Sequence, residues 1–329
     1  RFVERYELTE IEYTKELLNN GIVVKKSVPG RENKILVTDY TSIIEPEDVA
    51  QSKRFLKLYN DLISKADIAI THQESQKQIN LQNCYTYRVF QDEEFTLDGR
   101  FYGGWWTNCK KEDRWFIAIN DEQTVECDYR SNHLYLFYGL NGQEISENLR
   151  SDPYAISEVY PRSLIKLLIT RYFNCGGEYG IIKHIRSVRD GYRDDKKKNR
   201  QLIKEYLPSD KVCREVMDII FFSHPVLRLA TNSDWGLRLM NWDSKVALYV
   251  LRTMTDEGIP VLCIHDSFIV QRSFHERLKA CMEQSYIYLG VPLAKPPIHT
   301  TYAHVCRDQE GSIVACNIAN ARYQRINPI

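Results

Sequence analysis

The stretch Ile259–Val270, with the sequence IPVLCIHDSFIV, is the part of the chain that decides the fold. Apolar residues fill both of its halves, and His265-Asp266-Ser267 lies between them, which predicts two short strands joined by a tight turn. A carboxylate at the tip of an apolar hairpin leaves the hydrophobic sheet and enters a cleft. Asp266 is therefore a candidate metal ligand, because hard divalent cations prefer carboxylate oxygens. His265 either braces this carboxylate or is a structural histidine.

A second stretch of the sequence shows the same arrangement. Residues Thr124–Tyr129 predict a short strand that ends at Asp128, and residues Ser131–Leu140 predict a helix directly after it. Two strand-end aspartates that are remote in sequence can meet on adjacent strands, as two-metal phosphoryl transfer requires. A strand-end aspartate can instead cap a helix or a turn. Glu126 shares a strand face with Asp128 and could add a ligand or form a buried salt bridge.

Two basic residues could face such a pair of aspartates. Arg162 and Lys166 are four residues apart in a helix predicted from about Pro161 to Phe173, so they lie on one helix face. A triphosphate needs a cationic face opposite its metal ions, because its charge is then held from two sides. The alternative is a solvated surface face. The apolar residues around both cations indicate a largely buried helix and favour the functional interpretation.

Two further segments have features that are typical of nucleic-acid binding. Residues Gly99–Trp106 combine aromatic residues with Arg100 and a Gly-Gly pair, which suits base stacking and phosphate contact. Packing of a hairpin in the core explains the same pattern. Residues Lys196–Arg200 form a basic run that could follow a phosphate backbone. Such a run is also typical of a solvated helix or loop, and Asp194 and Asp195 reduce its charge.

Composition limits the classes of protein that fit this chain. The 329 residues are enough for a sizeable core and one or two domains, and 44 basic residues balance 44 acidic ones. A phosphate-binding surface must therefore arise from local clustering of Lys and Arg. No apolar run approaches the roughly 20 residues of a membrane span, so we expect no membrane partner. The nine cysteines include no C-x-x-C pair, which favours free thiols in a reducing compartment such as the cytoplasm over zinc sites or disulfides.

The other segments of the chain predict an α+β fold. Helices are expected from the spacing of apolar residues, and strands from apolar runs between turn signals. The further predicted helices are Thr9–Asn19, Pro46–Ala66, Asp210–Phe222, Trp242–Glu257 and Phe274–Leu289, and the further strands are Gly21–Val28, Ile35–Thr38 and Trp115–Ile119. The tail from Pro292 onward is expected to be irregular or β-like.

These motifs together resemble the catalytic core of the family A polymerases, the group of bacterial DNA polymerase I and the single-subunit phage and mitochondrial RNA polymerases. Residues Val125–Tyr129 and the helix after them are similar to motif A, and Ile264–Phe268 is similar to motif C. Arg162 and the lysine four residues later are similar to the start of motif B, the fingers helix. Residues Asp98–Phe101 resemble the family's Thr-Gly-Arg-Leu segment. The resemblance covers about residues 95–290.

The resemblance implies a palm made of an antiparallel sheet with flanking helices, together with helical fingers and an N-terminal mixed subdomain. It implies that Asp128 and Asp266 are catalytic and hold two Mg²⁺ ions, which Mn²⁺ can replace. The implied reaction adds nucleotides from nucleoside triphosphates to the 3′-hydroxyl of a nucleic acid, with a template, a primer or both as partners. The side chains that would bind substrate are Arg162, Lys166, Tyr129, His265 and Arg100.

The same resemblance implies four parts along the chain. These are a thumb-like mixed or helical subdomain (1–82), a first palm part with motif A (83–153), a fingers-like region with motif B (154–240), and a second palm part with motif C and the tail (241–329). The family has an aromatic residue four or eight positions after the motif B lysine, where this chain has Thr170 and Asn174. The short chain favours a minimal relative of the phage or mobile-element type.

Three other functions remain open from the sequence. A metal-dependent nuclease also uses clustered acids on a sheet, but it normally needs three or more of them and no cations that face a triphosphate. A non-catalytic polymerase-like module would bind nucleic acid or another protein. Template-independent nucleotide addition would use the same site without a template.

Overall fold

A computed structural model describes residues 21–28, 31–36, 47–70, 81, 83–91, 94–232, 234–302, 306–307 and 313–314. Within these ranges the chain forms eight α-helices and twelve β-strands, so the predicted α+β class is confirmed. The predicted helix Thr9–Asn19 lies outside the described residues. The helices are α1 (Glu47–Lys65), α2 (Asn132–Leu140), α3 (Arg162–Tyr172), α4 (Glu178–Arg189), α5 (Lys197–Tyr206), α6 (Asp210–Ser223), α7 (Trp235–Asp256) and α8 (His275–Tyr288).

The strands form two larger sheets and one short pair. The strands are β1 (Ile22–Val28), β2 (Arg31–Leu36), β3 (Ile68–Ile70), β4 (Thr86–Phe90), β5 (Asp98–Gly103), β6 (Ile117–Ile119), β7 (Glu122–Tyr129), β8 (Val261–Ile264), β9 (Ser267–Gln271), β10 (Ile298–Tyr302), β11 (Cys306–Arg307) and β12 (Ile313–Val314). The first sheet has the order β2-β1-β4-β5, in which β1 and β4 are parallel. The short pair is β11 with β12.

The second sheet is antiparallel throughout and positions the candidate site. Its order is β3-β6-β7-β9-β8, and β10 also pairs with β7. Every residue of β8 and β9 is buried, which explains why both strands are apolar. The two strands are joined only by His265 and Asp266, as the sequence predicts.

The chain before residue 82 contributes strands to both sheets. Strand β1 pairs with β4, with Val23 opposite Val89, and β3 pairs with β6, with Ile68 opposite Ile119. The helix between them, α1, packs against α7 and buries Ile63 completely. Strand pairing and apolar contacts therefore join this part of the chain to the sheets that follow it.

Two of the predicted elements have different bounds in the structure. Helix α7 begins at Trp235 rather than at Trp242, because polar residues on its buried face hide the apolar spacing. Asn241, for example, is buried and its amide donates hydrogen bonds to the carbonyl oxygens of Phe95 and Asp98. The strand predicted over Trp115–Ile119 is shorter, because Arg114–Phe116 forms a 3-10 turn before β6.

The remaining predicted helices and strands of the described ranges are present, with bounds that differ by a few residues. The last two residues of the predicted strand Ile35–Thr38 lie outside the described residues. Within the tail after Pro292, the described residues Ile298–Tyr302 form β10 beside β7, as the β-like alternative predicts. The seven cysteines whose side chains the structure describes are free, as predicted. Among the helices that the structure describes, none has the length and apolar character needed to cross a membrane.

Candidate active site

Asp128 and Asp266 lie at the same end of two adjacent strands. Asp128 is the second-last residue of β7, and its Cα pairs with that of Ser267, the first residue of β9. Asp266 directly precedes Ser267 in the hairpin turn. The backbone N–H of Tyr129 donates to the carbonyl oxygen of Asp266 at 3.2 Å, which fixes the two strand ends to each other. The structure therefore brings the two predicted aspartates together.

The electrostatic surroundings of the two carboxyl groups penalise their charge. Burial, and then the neighbouring Asp266, raise the pKa of Asp128 to about 7, while Lys111 and Lys166 lower it. Burial, and then Asp243, raise the pKa of Asp266, and Arg100 opposes this increase. The pair thus has less positive charge around it than two ionised carboxylates need, and a bound cation would favour the ionised form of both.

The turn that carries Asp266 contains a backbone conformation that is uncommon for histidine. His265 has a φ of 60°, a region in which an L-residue meets steric strain and glycine does not. Its ring packs edge-on against Tyr102, with 5.8 Å between ring centroids, and its Nδ1 is buried without a hydrogen-bond partner among the described residues. Burial, and then Arg100, lower the pKa of His265, so the imidazole is neutral at neutral pH.

Arg100 belongs to a polar network beside the two aspartates. Its Nε donates to Oδ2 of Asp243 at 2.8 Å, and its guanidinium also lies 2.9 Å from Nε2 of His133. The amide of Asn132 donates to the other oxygen of Asp243 at 2.7 Å. Asp243 is 1% exposed. Burial by itself would raise the pKa of this carboxyl group, but Arg100 and His133 outweigh burial, and the pKa is lowered. The Asp243 carboxylate thus holds the Arg100 guanidinium in place, where it also interacts with Asp266.

The sequence alone did not identify Asp243, His133 or Asn132 as residues of this site. Asp243 lies in α7, far along the chain from β5, where Arg100 is located. The available signal was a polar cluster, Asn241, Asp243 and Ser244, within an otherwise apolar helix. Such a cluster indicates a buried polar network, but it does not say which residue of another element completes that network.

Glu126 forms the buried salt bridge that was one of its two predicted roles. Its Oε1 accepts a hydrogen bond from Arg114 at 3.1 Å and another from the hydroxyl of Ser267. Its Oε2 is buried and has no hydrogen-bond partner in the described part of the chain. The negative charge of Glu126 also contributes to the raised pKa of Asp128. Glu126 therefore adds negative charge beneath the aspartate pair.

Arg162 and Lys166 lie on one face of α3, as the spacing predicts. Both cations are near the ring of Tyr154, with Arg162 Cζ at 5.4 Å and Lys166 Nζ at 5.8 Å from its centroid. Arg162 is exposed and pairs with Asp152. Lys166 is also exposed, and it lowers the pKa of Asp128, which places its ammonium on the side of the aspartates.

The predicted substrate contact of Tyr129 does not fit its placement. Its side chain is 2% exposed, and its hydroxyl donates to the carbonyl oxygen of Met282 at 2.7 Å. The ring packs edge-on against Phe268 and Tyr286. Consecutive strand residues point to opposite sides of a sheet, so Tyr129 faces the core while Asp128 faces the other side of the sheet.

The aromatic segment Gly99–Trp106 is mostly a packing segment. Phe101, Trp105 and Trp106 are at most 2% exposed, so the core-packing interpretation is correct for these residues. Arg100 is the one charged residue of this segment, and it reaches the candidate site. The basic run Lys196–Arg200 likewise begins a solvated helix, α5, most of whose side chains in the run are exposed.

The chemistry of the donor set fits a hard divalent cation. In the described ranges no three His, Cys, Asp or Glu side chains are grouped so that they could hold a metal ion by themselves. Two carboxylates are sufficient for Mg²⁺ when substrate phosphates and water complete the shell. Asp128 and Asp266 supply two such carboxylates, and burial is the main cause of their raised pKa values, so a bound cation would favour the ionised form of each.

Comparisons with known sequences and with solved structures have different outcomes. No protein-family model matches the sequence, and no curated protein matches it. Among solved structures, the chain is similar to the POL domain of Pol1 from M. smegmatis, which was solved in complex with DNA primer-template and dNTP. The TM-score is 0.36 and the sequence identity is 12%, over 77% of this chain and 51% of the other. The matched part of that domain is thus about half of its length.

Proposed function

We propose that the protein transfers nucleoside monophosphates from nucleoside triphosphates to the 3′-hydroxyl of a nucleic acid. The observation that carries this proposal is the placement of Asp128 and Asp266 at one end of β7 and β9, where burial raises the pKa of both carboxyl groups. In the reaction a bond forms between the 3′-oxygen and the α-phosphorus, and the bond from that phosphorus to the β-phosphate oxygen breaks. Pyrophosphate leaves, and the hydroxyl proton passes to solvent.

Asp128 and Asp266 are the residues that would hold divalent cations, Mg²⁺ in the first place and Mn²⁺ as a substitute. When bound, two such ions lower the pKa of the attacking hydroxyl and neutralise charge on the leaving pyrophosphate. The two carboxylates must be ionised to bind them. Because the pKa of Asp128 is about 7, protons compete with the cation below neutral pH, and activity should fall as the pH decreases through this range.

The cations on α3 would bind the triphosphate from the other side. Lys166 is exposed and already interacts with Asp128, so its ammonium can neutralise phosphate charge next to the aspartates. Arg162 lies beside it over Tyr154 and would have to exchange Asp152 for a phosphate. Arg100 keeps its position through Asp243 and contributes positive charge near Asp266. In this proposal the antiparallel sheet is the palm and α3–α6 form the fingers.

Removal of either carboxylate is the direct test. Asp128→Ala and Asp266→Ala should each reduce nucleotide incorporation at least about 10³-fold, because each removes a metal ligand. The assay supplies a primed template, an unprimed single strand or no nucleic acid, each with all four ribo- or deoxyribonucleotides and Mg²⁺ or Mn²⁺. Product length and composition report template and primer dependence, and EDTA should abolish all incorporation.

Controls separate this proposal from the rival functions. Asp218→Ala removes an exposed aspartate on α6 and should leave incorporation unchanged. Circular dichroism melting of each variant checks that the fold persists. Degradation of labelled nucleic acid with Mg²⁺ and without triphosphates would instead identify a nuclease. Full incorporation by a folded Asp128→Ala or Asp266→Ala variant would reject the assignment of the site.

A further inference from the structure

A cavity of about 330 Å³ lies away from the aspartate pair, between the end of α3, helix α4 and the loop after α4. Four basic side chains line it, namely Arg171, Lys183, His184 and Arg193. Lys166 and Arg171 are five residues apart on α3, which places them roughly 140° apart around the helix axis. One helix therefore presents Lys166 to the aspartates and Arg171 to this cavity.

The charges in this cavity are only partly balanced. Arg171 donates two hydrogen bonds to Asp195, at 2.9 and 2.7 Å, so this pair is close to neutral. Lys183 and Arg193 are exposed, and neither has an ion-pair partner among residues 94–232. His184 has its Nε2 buried, again without a hydrogen-bond partner in the described chain. The cavity thus has a net positive charge and an unused imidazole nitrogen.

Two tyrosines that are adjacent in sequence to residues of the cavity are largely exposed. Tyr179 is 79% exposed and Tyr192 is 88% exposed. Tyr179 directly precedes a cavity residue, Gly180, and is four residues before Lys183 on the same face of α4. Tyr192 directly precedes Arg193. Large exposed rings beside cations are the pattern with which proteins hold single-stranded nucleic acid, because bases stack on the rings while the cations contact phosphates.

We propose that this cavity binds a phosphate group of a single-stranded nucleic acid, with neighbouring bases stacked on Tyr179 and Tyr192. Lys183 and Arg193 contact the phosphate oxygens, and Arg171 keeps its orientation through Asp195. The imidazole of His184 donates one N–H to the same group. Burial, and then Arg193 and Arg171, lower the pKa of His184, so it binds as a neutral donor.

Binding of a labelled oligonucleotide tests this site without catalysis. Fluorescence anisotropy with a fluorescein-labelled 12-nucleotide oligothymidylate is measured in EDTA, without nucleoside triphosphates, over a range of salt concentrations. The double variant K183A/R193A should bind at least about tenfold more weakly at low salt. Its salt dependence should also fall, by about 0.7 in the logarithmic slope for each phosphate contact that is lost.

Matched variants distinguish the cavity from general surface charge and general exposed aromatic area. K211A/R214A removes two exposed cations from α6 and should leave the affinity unchanged. Y179A/Y192A should weaken binding several-fold without changing the salt slope, since it removes stacking and no charge. Phe222→Ala removes a 90% exposed ring outside the cavity and should have no effect. Unchanged binding by K183A/R193A, or an equal loss with K211A/R214A, would overturn the proposal.

A second binding experiment identifies the source of the phosphate group. Inorganic phosphate and ATP are tested by isothermal titration calorimetry against the unaltered protein and K183A/R193A. Loss of ATP or phosphate binding in the double variant, with oligonucleotide binding intact, would assign the cavity to a free phosphate ligand and contradict the strand proposal. The folded Asp128→Ala variant should bind the oligonucleotide normally, so failure of the proposed catalytic function and failure of this site are distinguishable.

Discussion

Asp243 and Asp266 are two largely buried acids that both interact with Arg100, and their pKa values move in opposite directions. Asp243 accepts hydrogen bonds from Arg100 and Asn132 and interacts with His133, and its pKa is lowered. Asp266 shares its end of the sheet with Asp128, and the pKa of each of these two acids is raised. Asp243 therefore has hydrogen-bonded partners within the protein, whereas burial outweighs the nearby cations at Asp128 and Asp266.

This difference separates a structural acid from a pair that is suited to bind cations. The Asp243 carboxylate already has its positive partner within the protein, and further positive charge adds little to it. The pair of Asp128 and Asp266 destabilises the folded chain when both groups are ionised, and an external cation relieves that repulsion. The comparison predicts that substitutions at the two places change the free energy of unfolding with opposite sign.

The largest effect is expected at the paired acid. Asp243→Ala leaves the Arg100 guanidinium, only 15% exposed, without its partner and also removes the acceptor of Asn132. The free energy of unfolding should fall by about 3–5 kcal/mol, because breaking a buried ion pair leaves an uncompensated charge. Equilibrium unfolding in urea at pH 7.5 measures this change.

The double variant R100M/D243L is the control for this prediction. It replaces both charges of this ion pair by apolar side chains, so neither partner is left buried without the other, and most of the lost stability should return. A decrease of less than about 1 kcal/mol in Asp243→Ala would mean that the pair is effectively solvated. The contrast with the aspartate pair would then disappear.

A smaller effect of the opposite sign is expected at Asp128. The folded pKa is about 7, above the unfolded value of about 4, so the folded chain binds more protons between these pH values and loses stability as the pH rises. Asp128→Asn cannot ionise and avoids this loss. At pH 8 in EDTA the variant should be more stable than the unaltered protein by about 2 kcal/mol, after allowance for solvent screening of a partly exposed group.

The pH and metal dependence of this difference are its controls. The advantage of Asp128→Asn should be small near pH 4, increase up to about pH 7 and then remain constant. Saturating Mg²⁺ should stabilise the unaltered protein and reduce the advantage, because the ion binds only the folded state. Asp218→Asn, at an exposed position, should show neither behaviour. A difference that is independent of pH would contradict the assigned cause.

The parts of the site that the sequence predicts are those that depend on local patterns. The turn at Asp266 lies between two apolar runs, and Asp128 ends another apolar run. These local patterns are sufficient to predict both strand ends. The pairing of Arg100 with Asp243 depends on the packing of α7 against β5, which no local pattern specifies. The first two turns of α7 were not predicted, because they contain buried polar residues such as Asn241, whose hydrogen-bond partner Phe95 is distant in sequence.

Strand alternation could have corrected one of the predictions from the sequence. Asp128 and Tyr129 are consecutive in a strand, so a carboxylate in the cleft implies that the next side chain faces the core. The structure has this arrangement, with the Tyr129 hydroxyl bonded to Met282. The aromatic residues Trp105 and Trp106 are different, because an aromatic-rich segment with glycines does not reveal which of its faces is buried.

The smallest predicted effect concerns the backbone that carries Asp266. His265 occupies the first position of a two-residue hairpin turn with a φ of 60°, where any side chain beyond glycine is strained. His265→Gly and His265→Ala both remove the ring contact with Tyr102, so their difference isolates the backbone. His265→Gly should be the more stable of the two by about 1 kcal/mol in urea unfolding.

At Lys204, an exposed position within α5, the order should reverse, because alanine is favoured in a helix. Equal stability of the two His265 variants would show that the turn relaxes without cost. A difference in the predicted direction would mean that strain, like the uncompensated charge, is concentrated where Asp266 meets Asp128, since Asp243 lies within a regular helix.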